Sequence, residues 1–139
     1  MEIINQWTKE TSDFIKKKVI DYNMEQLPDH LKTPNENIGF TLKDDIGNIK
    51  GGITGNMFWN HILIDFLWVD ESYRKEGYGS ILLNKLEKYA QENDCRLIYL
   101  DTFSFQAPAF YQKNGYEIFG VIEDHPKGFD QYFLQKRLM

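Results

Sequence analysis

Apolar residues change their spacing several times along the chain, and each change predicts a new element. In the first third, two adjacent isoleucines predict a short strand over residues 2–7. Apolar residues three, four and seven positions apart then predict a helix that ends near residue 23. The candidates for its N-terminal cap are Thr11, Ser12 and Asp13. Residues 24–37 contain two prolines and are predicted to be irregular.

The rest of the chain is predicted to form one sheet with helices packed on it. Alternating or continuous apolar runs predict strands over residues 38–43, 49–57, 62–69, 97–101, 116–122 and 131–136. Helical spacing predicts a helix that ends near residue 93 and a short helix over residues 107–114. Gly51 and Gly52 mark a bulge or close packing in the second strand of a hairpin. This order of elements predicts a mixed sheet in a single domain, residues 1–139.

The segment from residue 62 to residue 86 combines a buried strand, a glycine turn and the start of a helix. Gly77 and Gly79 would let an anion approach the N–H groups that have no partner in the first turn of a helix. Arg74 and Lys75 add positive charge, so the segment is a candidate cradle for a pyrophosphate. A helix start that needs only a tight turn is the alternative. The chain lacks the G-x-x-x-x-G-K-S/T pattern of Walker nucleotide sites and the third glycine of dinucleotide-binding loops.

Two blocks of the sequence resemble those of the GNAT N-acetyltransferases. Residues 69–79 are similar to the acetyl-CoA loop of that family, whose pattern R/Q-x-x-G-x-G/A is filled by Arg74, Gly77 and Gly79. Residues 107–116 are similar to the family's A-x-x-F-Y-x-K/R-x-G-F/Y segment. The blocks occur in the family's order and at about its separation, and the resemblance extends from about residue 48 to the C-terminus.

The resemblance implies an α+β fold, the GNAT acyl-CoA acyltransferase fold, in which helices flank a mixed, mostly antiparallel sheet with a splayed central strand pair. It implies an N-acetyltransferase that moves an acetyl group from its cosubstrate acetyl-CoA to a primary amine, by direct attack in a ternary complex. The expected acceptor is a small molecule. Main-chain groups of Leu67, Trp68 and Val69 would pair with the pantetheine arm of the coenzyme. The other residues expected to bind the coenzyme are Arg74, Lys75, Glu76, Gly77, Tyr78, Gly79, Ser80 and Ser104.

Tyr111 and Asp65 are the candidate catalytic residues. Tyr111 occupies the tyrosine position of the second block, which in the resembling family points at the coenzyme sulfur, and a protonated phenol can donate to a leaving thiolate. Asp65 interrupts an otherwise apolar strand, where it could bind the amine or take its proton through water. The alternatives are a helix residue packed beside Phe110 for Tyr111, and a surface carboxylate for Asp65.

The remaining residues with metal-binding or nucleophilic chemistry are expected to be structural. His30, His61 and His125 are predicted to lie in turns or loops, and because they have no metal-ligand spacing no metal is expected. The single cysteine, Cys95, excludes a disulfide framework within the chain and a cysteine-based zinc site. It is predicted to be a structural thiol at the start of a strand.

The composition of the chain indicates which kinds of partner and which cellular location to expect. A formal net charge of −5 disfavours nucleic-acid binding and weakly suits a cationic amine. No apolar run is long enough to cross a membrane and the N-terminus has no signal-peptide core, so a cytoplasmic protein without a membrane partner is expected. Family habit leads to the expectation of a homodimer through hydrophobic residues near the C-terminal strands. Two alternative functions stay open: acetylation of a protein N-terminus or lysine, and a non-catalytic acyl-CoA-binding sensor.

Overall fold

In the computed structural model, which describes all 139 residues, the chain divides into two units, Met1–Thr33 and Pro34–Met139. The first unit contains helix α1 (Lys9–Gln26) and a 3₁₀ turn, Asp29–Leu31, that follows Pro28. The second unit contains the sheet and two further helices. None of the helices combines the length and the apolar composition that a membrane span requires.

The start of α1 corrects two of the predictions. Residues 2–7 do not form a strand, and the sheet takes no strand from them. The helix begins at Lys9 because Thr8 is its N-cap: the Thr8 hydroxyl accepts from the N–H of Thr11 at 3.0 Å, and the Thr11 hydroxyl accepts from the N–H of Thr8 at 3.2 Å. This reciprocal pair is a capping box, which satisfies two N–H groups at once. A cap at Thr11, Ser12 or Asp13 was therefore the wrong prediction.

The second unit is a mixed sheet of six strands in the order β1-β2-β3-β4-β6-β5. Its strands are β1 (Glu36–Lys43), β2 (Ile49–Phe58), β3 (His61–Val69), β4 (Leu97–Phe103), β5 (Glu117–Ile122) and β6 (Gln131–Arg137). Only β3 and β4 pair in parallel, and the other four pairings are antiparallel. The predicted mixed, mostly antiparallel sheet is therefore confirmed, and the six strands predicted after residue 37 lie within about two residues of their observed bounds.

Helix α2 (Tyr78–Glu92) supplies one side of the core. Its buried side chains recur every three or four residues, and they are Leu82, Leu83, Leu86, Glu87 and Ala90. They pack against the buried face of the sheet, to which Ile53, Ile62 and Ile98 contribute. Burying a leucine stabilises the fold by about 1.5–3 kcal/mol relative to leaving it exposed, so this face anchors the sheet.

Glycines in β2 allow its neighbours to approach closely. A Cβ atom on Gly51 would lie 2.9 Å from the carbonyl oxygen of Trp68 in β3, and one on Gly52 would lie 3.1 Å from the carbonyl oxygen of Phe40 in β1. The first distance is too short for a side chain and the second is tighter than most side-chain contacts, so the predicted close packing is confirmed. A β-bulge lies beside them in the same strand, because Leu42 pairs with Gly51 and Lys43 with Ile49, which leaves Lys50 of β2 without a partner.

Cys95 precedes β4 and has no exposed surface. Burial raises the pKa of its thiol, and the nearby Asp94 carboxylate raises it further. A thiol that stays protonated is a poor nucleophile, so Cys95 is structural, as predicted.

A partly buried ion pair joins α2, β6 and the third helix, α3 (Pro108–Lys113). The Glu87 carboxylate of α2 accepts from the ammonium of Lys136 in β6 at 2.7 Å and from the Tyr116 hydroxyl at 3.3 Å. The same ammonium donates to the carbonyl of Asn114, directly after α3, at 2.9 Å. Both Glu87 and Tyr116 are buried, so the C-terminal end of α3 is fixed to the core.

Replacement of Lys136 by Met is expected to lower the free energy of unfolding by about 2 kcal/mol, because it leaves the Glu87 carboxylate buried without its ion partner. Lys85→Met, on the exposed face of α2, removes the same charge and serves as the control. Urea unfolding followed by circular dichroism measures both variants. A loss for Lys136→Met as small as that of the control would show that the pair does not stabilise the fold.

Candidate active site

The central strands β3 and β4 separate partway along their length. They pair only through His61 with Leu97, Ile62 with Ile98 and Leu63 with Tyr99. Beyond Leu63, Ile64 and residues 66–69 pair with β2 on one side, and no strand pairs with residues 64–69 on the side that faces β4. The sheet therefore has an internal opening with main-chain N–H and C=O groups along one edge, as the predicted splay requires.

A cavity of about 740 Å³ occupies this opening. Its walls come from the unpaired part of β3, the loop before α2, the end of β4 and helix α3. Among the residues predicted from the sequence, those that line it are Asp65, Leu67, Trp68, Val69, Arg74, Lys75, Gly77, Tyr78, Gly79, Ser80 and Tyr111. The fold thus brings both sequence blocks and the candidate carboxylate to one space.

Two of the predicted residues do not line this cavity. Glu76 is an exposed residue of the loop before α2. Ser104, at the end of β4, exchanges two hydrogen bonds with Asp130: its N–H donates to the Asp130 carbonyl at 2.9 Å, and its hydroxyl accepts from the Asp130 N–H at 3.0 Å. These bonds fix the chain next to β6, so the observed partner of Ser104 is the protein itself.

Asp65 is the extra residue of a β-bulge in β3. Gly55 pairs with Ile64 and the adjacent Thr54 pairs with Phe66, so Asp65 has no partner across the β2–β3 ladder. Its side chain is exposed and lines the cavity. A bulge bends a strand and redirects a side chain, and such irregularities are common beside active sites. Here it puts a carboxylate where β3 leaves β4.

The loop between β3 and α2 has the backbone conformation of an anion site. Gly77 is the N-cap of α2 and has φ of +86°, a left-handed conformation that favours glycine. The first helical hydrogen bond joins the N–H of Ile81 to the Gly77 carbonyl, so the N–H groups of residues 78–80 have no partner within the helix. A Cβ atom on Gly77 would have no atom within 4 Å, so the space beside it is open. Main-chain donors at a helix N-terminus beside open space suit a phosphate group.

Three cationic side chains line the cavity: Arg74, Lys75 and Lys113. Arg74 also fixes the loop, because its Nε donates to the Val69 carbonyl at 2.9 Å. Lys113 belongs to the second sequence block and was not predicted as a site residue, although its fixed K/R position in that block was a signal. The cavity therefore offers positive charge from two elements to an anionic ligand.

Helices α2 and α3 meet at Gly79. A Cβ atom on Gly79 would lie 3.3 Å from two ring atoms of Phe110, closer than most side chains tolerate. The missing side chain lets the start of α2 contact α3, which carries Tyr111. The contact therefore fixes the position of the loop before α2 relative to Tyr111, the candidate proton donor.

Tyr111 is a buried residue whose hydroxyl faces the cavity. Its ring packs edge-on against Phe110 and Tyr116, with centroids 5.1 and 5.9 Å away. The hydroxyl makes no hydrogen bond within the protein. Every fully buried polar side-chain atom of the chain has a hydrogen-bond partner, so a hydroxyl without one must have accessible surface. Burial raises the pKa of Tyr111 to about 12. The phenol therefore keeps its proton at neutral pH and is available as a donor.

The open side of the cavity is acidic and aromatic. Asp101 lines it together with Asp65, and the Asp101 carboxylate accepts from the Gln131 side chain at 2.8 Å. Phe66, Trp68 and Phe105 are at least 47% exposed and line the same space. Phe66 and Phe105 were not predicted as site residues, because nothing in the sequence separates them from core aromatics. Carboxylates and aromatic faces together favour a cation.

Comparison with known proteins gives consistent matches. The profile of the Acetyltransferase (GNAT) family matches residues 2–116. The blasticidin-S acetyltransferase of Streptomyces morookaense is 39% identical over 93 residues, which are 66% of this chain and 68% of the relative. The crystal structure of an acetyltransferase from Bacillus cereus ATCC 14579 is similar with a TM-score of 0.95 and 54% identity, over 99% of each chain. A Bacillus anthracis structure, described as a streptothricin acetyltransferase in complex with acetyl coenzyme A, has a TM-score of 0.66 and 25% identity, over 76% of this chain and 64% of that one.

Proposed function

The chain belongs to the GNAT family of acetyltransferases, which use acetyl-CoA, and from this premise we propose that it acetylates the primary amine of a small molecule by direct attack in a ternary complex. One observation carries the proposal. A single cavity joins the N-terminus of α2, the unpaired edge of β3, the Asp65 carboxylate and the Tyr111 hydroxyl. Together these groups can bind an anionic coenzyme, hold an amine and donate a proton.

The loop before α2 is proposed to bind the pyrophosphate of the coenzyme. The N–H groups of Tyr78, Gly79 and Ser80 donate to its oxygens, while Arg74 and Lys75 balance its charge. Glu76 and Ser104, which do not line the cavity, keep only the support of the family pattern. The open space beside Gly77 is what lets the phosphates approach the main chain.

The unpaired edge of β3 is proposed to bind the pantetheine arm. Leu67 and Val69 pack against the core, and their main-chain groups on the β4 side have no strand partner. An extended amide-containing arm can pair with such an edge as an added strand does. This pairing, together with Trp68 beside it, directs the arm along β3 toward Asp65.

The chemistry needs a neutral amine, a polarised thioester and a protonated leaving group. Bound acetyl-CoA supplies the acetyl thioester. Asp65 binds the incoming ammonium and takes its proton, directly or through water, so that the nitrogen gains a free electron pair. Main-chain N–H groups on the unpaired edge of β3 can donate to the carbonyl oxygen as it gains negative charge. The C–N bond forms and the C–S bond breaks as Tyr111 gives its proton to the sulfur. The attacking nitrogen then loses its second proton, through water, to the Tyr111 oxygen, which leaves a neutral amide, a free thiol and the phenol.

The proposed acceptor is a small cationic molecule. Two relatives are named for blasticidin S and streptothricin as the molecules that they acetylate, and neither name is that of a protein. The two carboxylates and the exposed aromatic side chains around the open side of the cavity match an amine with an apolar or planar part. Holding amine and thioester together would supply a large share of the rate enhancement.

The expected homodimer stays a prediction. The strand at the end of the sheet, β5, exposes Phe119, Val121 and Ile122, which is the surface that such a dimer would use. Sedimentation velocity of the purified chain measures the oligomeric state, and a monomer at high concentration would contradict the predicted homodimer.

Release of free coenzyme A thiol, measured with acetyl-CoA and a panel of acceptors, tests the function. We expect amine-dependent release with at least one small aromatic or polycationic amine, such as tyramine, tryptamine or spermidine. The kcat/KM for this amine should exceed that of a lysine-containing peptide with a free N-terminus by at least about tenfold, a difference of about 1.4 kcal/mol. A peptide that is the better substrate would favour a protein acceptor. Coenzyme binding without release for any amine would favour a sensor.

Tyr111→Phe is expected to lower kcat by about 10²–10⁴-fold, because the leaving thiolate loses its proton donor. The Kd for acetyl-CoA should stay within about twofold, because the ring remains in place. Since burial raises the pKa of Tyr111 to about 12, the wild-type kcat should not fall between pH 8 and 10 through loss of this proton. An alkaline fall in that range that disappears in Tyr111→Phe would contradict the raised pKa, and unchanged turnover in the variant would contradict the assignment of Tyr111 as proton donor.

Gly77→Ala is expected to weaken acetyl-CoA binding about tenfold, because an alanine at a φ of +86° is strained by about 1 kcal/mol and its methyl group enters the space beside the loop. Gly47 in the β1–β2 turn is a matched control, since it has a φ of +88° and equally open surroundings. Gly47→Ala should lose similar stability and keep the wild-type Kd. Isothermal titration calorimetry measures both variants. Equal affinities for the two variants would remove the loop from the coenzyme site.

A further inference from the structure

A second cavity, of about 350 Å³, lies at the opposite end of β3 and β4. It is bordered by the β2–β3 turn, by the first residues of β3 and β4, and by the end of β6. None of its lining residues lines the larger cavity in the splay. Its volume lies within the range of about 300–1,000 Å³ that is usual for small-molecule sites. The reaction proposed above makes no use of it.

Two of the three arginines of the chain line this cavity, Arg96 before β4 and Arg137 at the end of β6. Neither takes part in any of the four ion pairs of the chain, and no carboxylate side chain lines the cavity. The chain as a whole has a net charge of −5, so the positive charge at this cavity is opposite in sign to the net charge of the protein. Guanidinium groups bind carboxylates through two parallel hydrogen bonds, which makes an anion the matching ligand.

The turn between β2 and β3 presents an indole ring to the same cavity. Phe58 pairs with His61, and the two residues between them, Trp59 and Asn60, have φ of +49° and +58°. Asn, Asp and Gly are the usual residues of such a turn, and a bulky residue is strained there by about 1–2 kcal/mol. Trp59 is 44% exposed and lines the cavity. Its ring packs edge-on against Phe58, with centroids 5.0 Å apart, and so extends the aromatic lining of the cavity.

The inner wall of the cavity is aromatic and uncharged. The His61 ring stacks on Tyr99 at 5.5 Å and 20° and meets Phe58 edge-on at 4.5 Å. Burial lowers the pKa of His61, so the imidazole is neutral at pH 7 and acts as part of the aromatic wall. The prediction of a plain turn residue was wrong, because Trp59 and Asn60 complete the turn and His61 is the buried first residue of β3.

We propose that this cavity binds a small aromatic carboxylate, with Arg96 and Arg137 holding the carboxylate and the Trp59 side of the cavity holding the ring. The two guanidinium groups select the charge, and the aromatic wall selects a planar apolar body. The proposal does not depend on acetyl transfer, because the site shares no residue with the larger cavity.

Phenylacetate is the probe, and the indole N–H signals of Trp59 and Trp68 in ¹H–¹⁵N NMR spectra report on the two cavities separately. A saturable shift of the Trp59 signal is expected, with Trp68 unmoved. Acetate lacks the ring and 2-phenylethanol lacks the charge, so each should bind at least about fivefold more weakly. Absence of a saturable Trp59 shift, a response confined to Trp68, or equal binding of acetate or 2-phenylethanol would overturn the proposal.

The double variant Arg96→Gln/Arg137→Gln should lose at least about fivefold in affinity for phenylacetate. Lys85→Gln/Lys88→Gln removes the same charge from the exposed face of α2 and should retain the wild-type affinity. Arg137→Lys keeps the charge without the planar fork and should fall between them, which also covers the case in which the double variant does not fold. Unchanged affinity in the arginine variants, or an equal loss in the lysine control, would refute a specific carboxylate site.

Discussion

Hydrogen bonding between β3 and β4 ends at Leu63 and Tyr99, and a row of main-chain groups continues beyond that point without a strand partner. Such groups are costly to bury unpaired, so the space beside them must contain water or a molecule that can pair with the edge. The larger cavity exists because of this separation, and the N-terminus of α2 and the hydroxyl of Tyr111 both face it. A fully paired strand would bury the edge and remove the cavity.

The separation is held by packing on both sides of it. Ile62 and Ile64 of β3 and Leu100 of β4 are buried in one core beneath α2, so the two strands diverge over a shared support. The Glu87–Lys136 pair fixes the end of α3, and the missing side chain of Gly79 lets α3 touch the start of α2. The opening is therefore part of the core architecture, and its two walls are supported by contacts within the chain.

Local patterns in the sequence were enough to predict most of the sheet, helix α2 and the glycine loop, because alternation, helical spacing and glycine turns are set by near neighbours. The features that were missed depend on partners elsewhere. The bulge at Asp65 is a property of the β2–β3 pairing, and the bonds of Ser104 are made with Asp130 on a different element. The start of α1 was missed for another reason, since several polar residues could have been the cap and only the reciprocal Thr8–Thr11 bonds decide between them.

The bulge has a consequence for how the acceptor side of the site can change over generations. If Asp65 is left out, the side chains on either side of it alternate regularly between the two faces of the sheet. Ile64 and Leu67 face the core, and Phe66 faces away from it. Asp65 is thus one residue added to an otherwise regular strand. A single in-frame codon can add or remove the carboxylate while every flanking side chain keeps its face. The acceptor role proposed for Asp65 is therefore separable, in evolution, from the core that supports it.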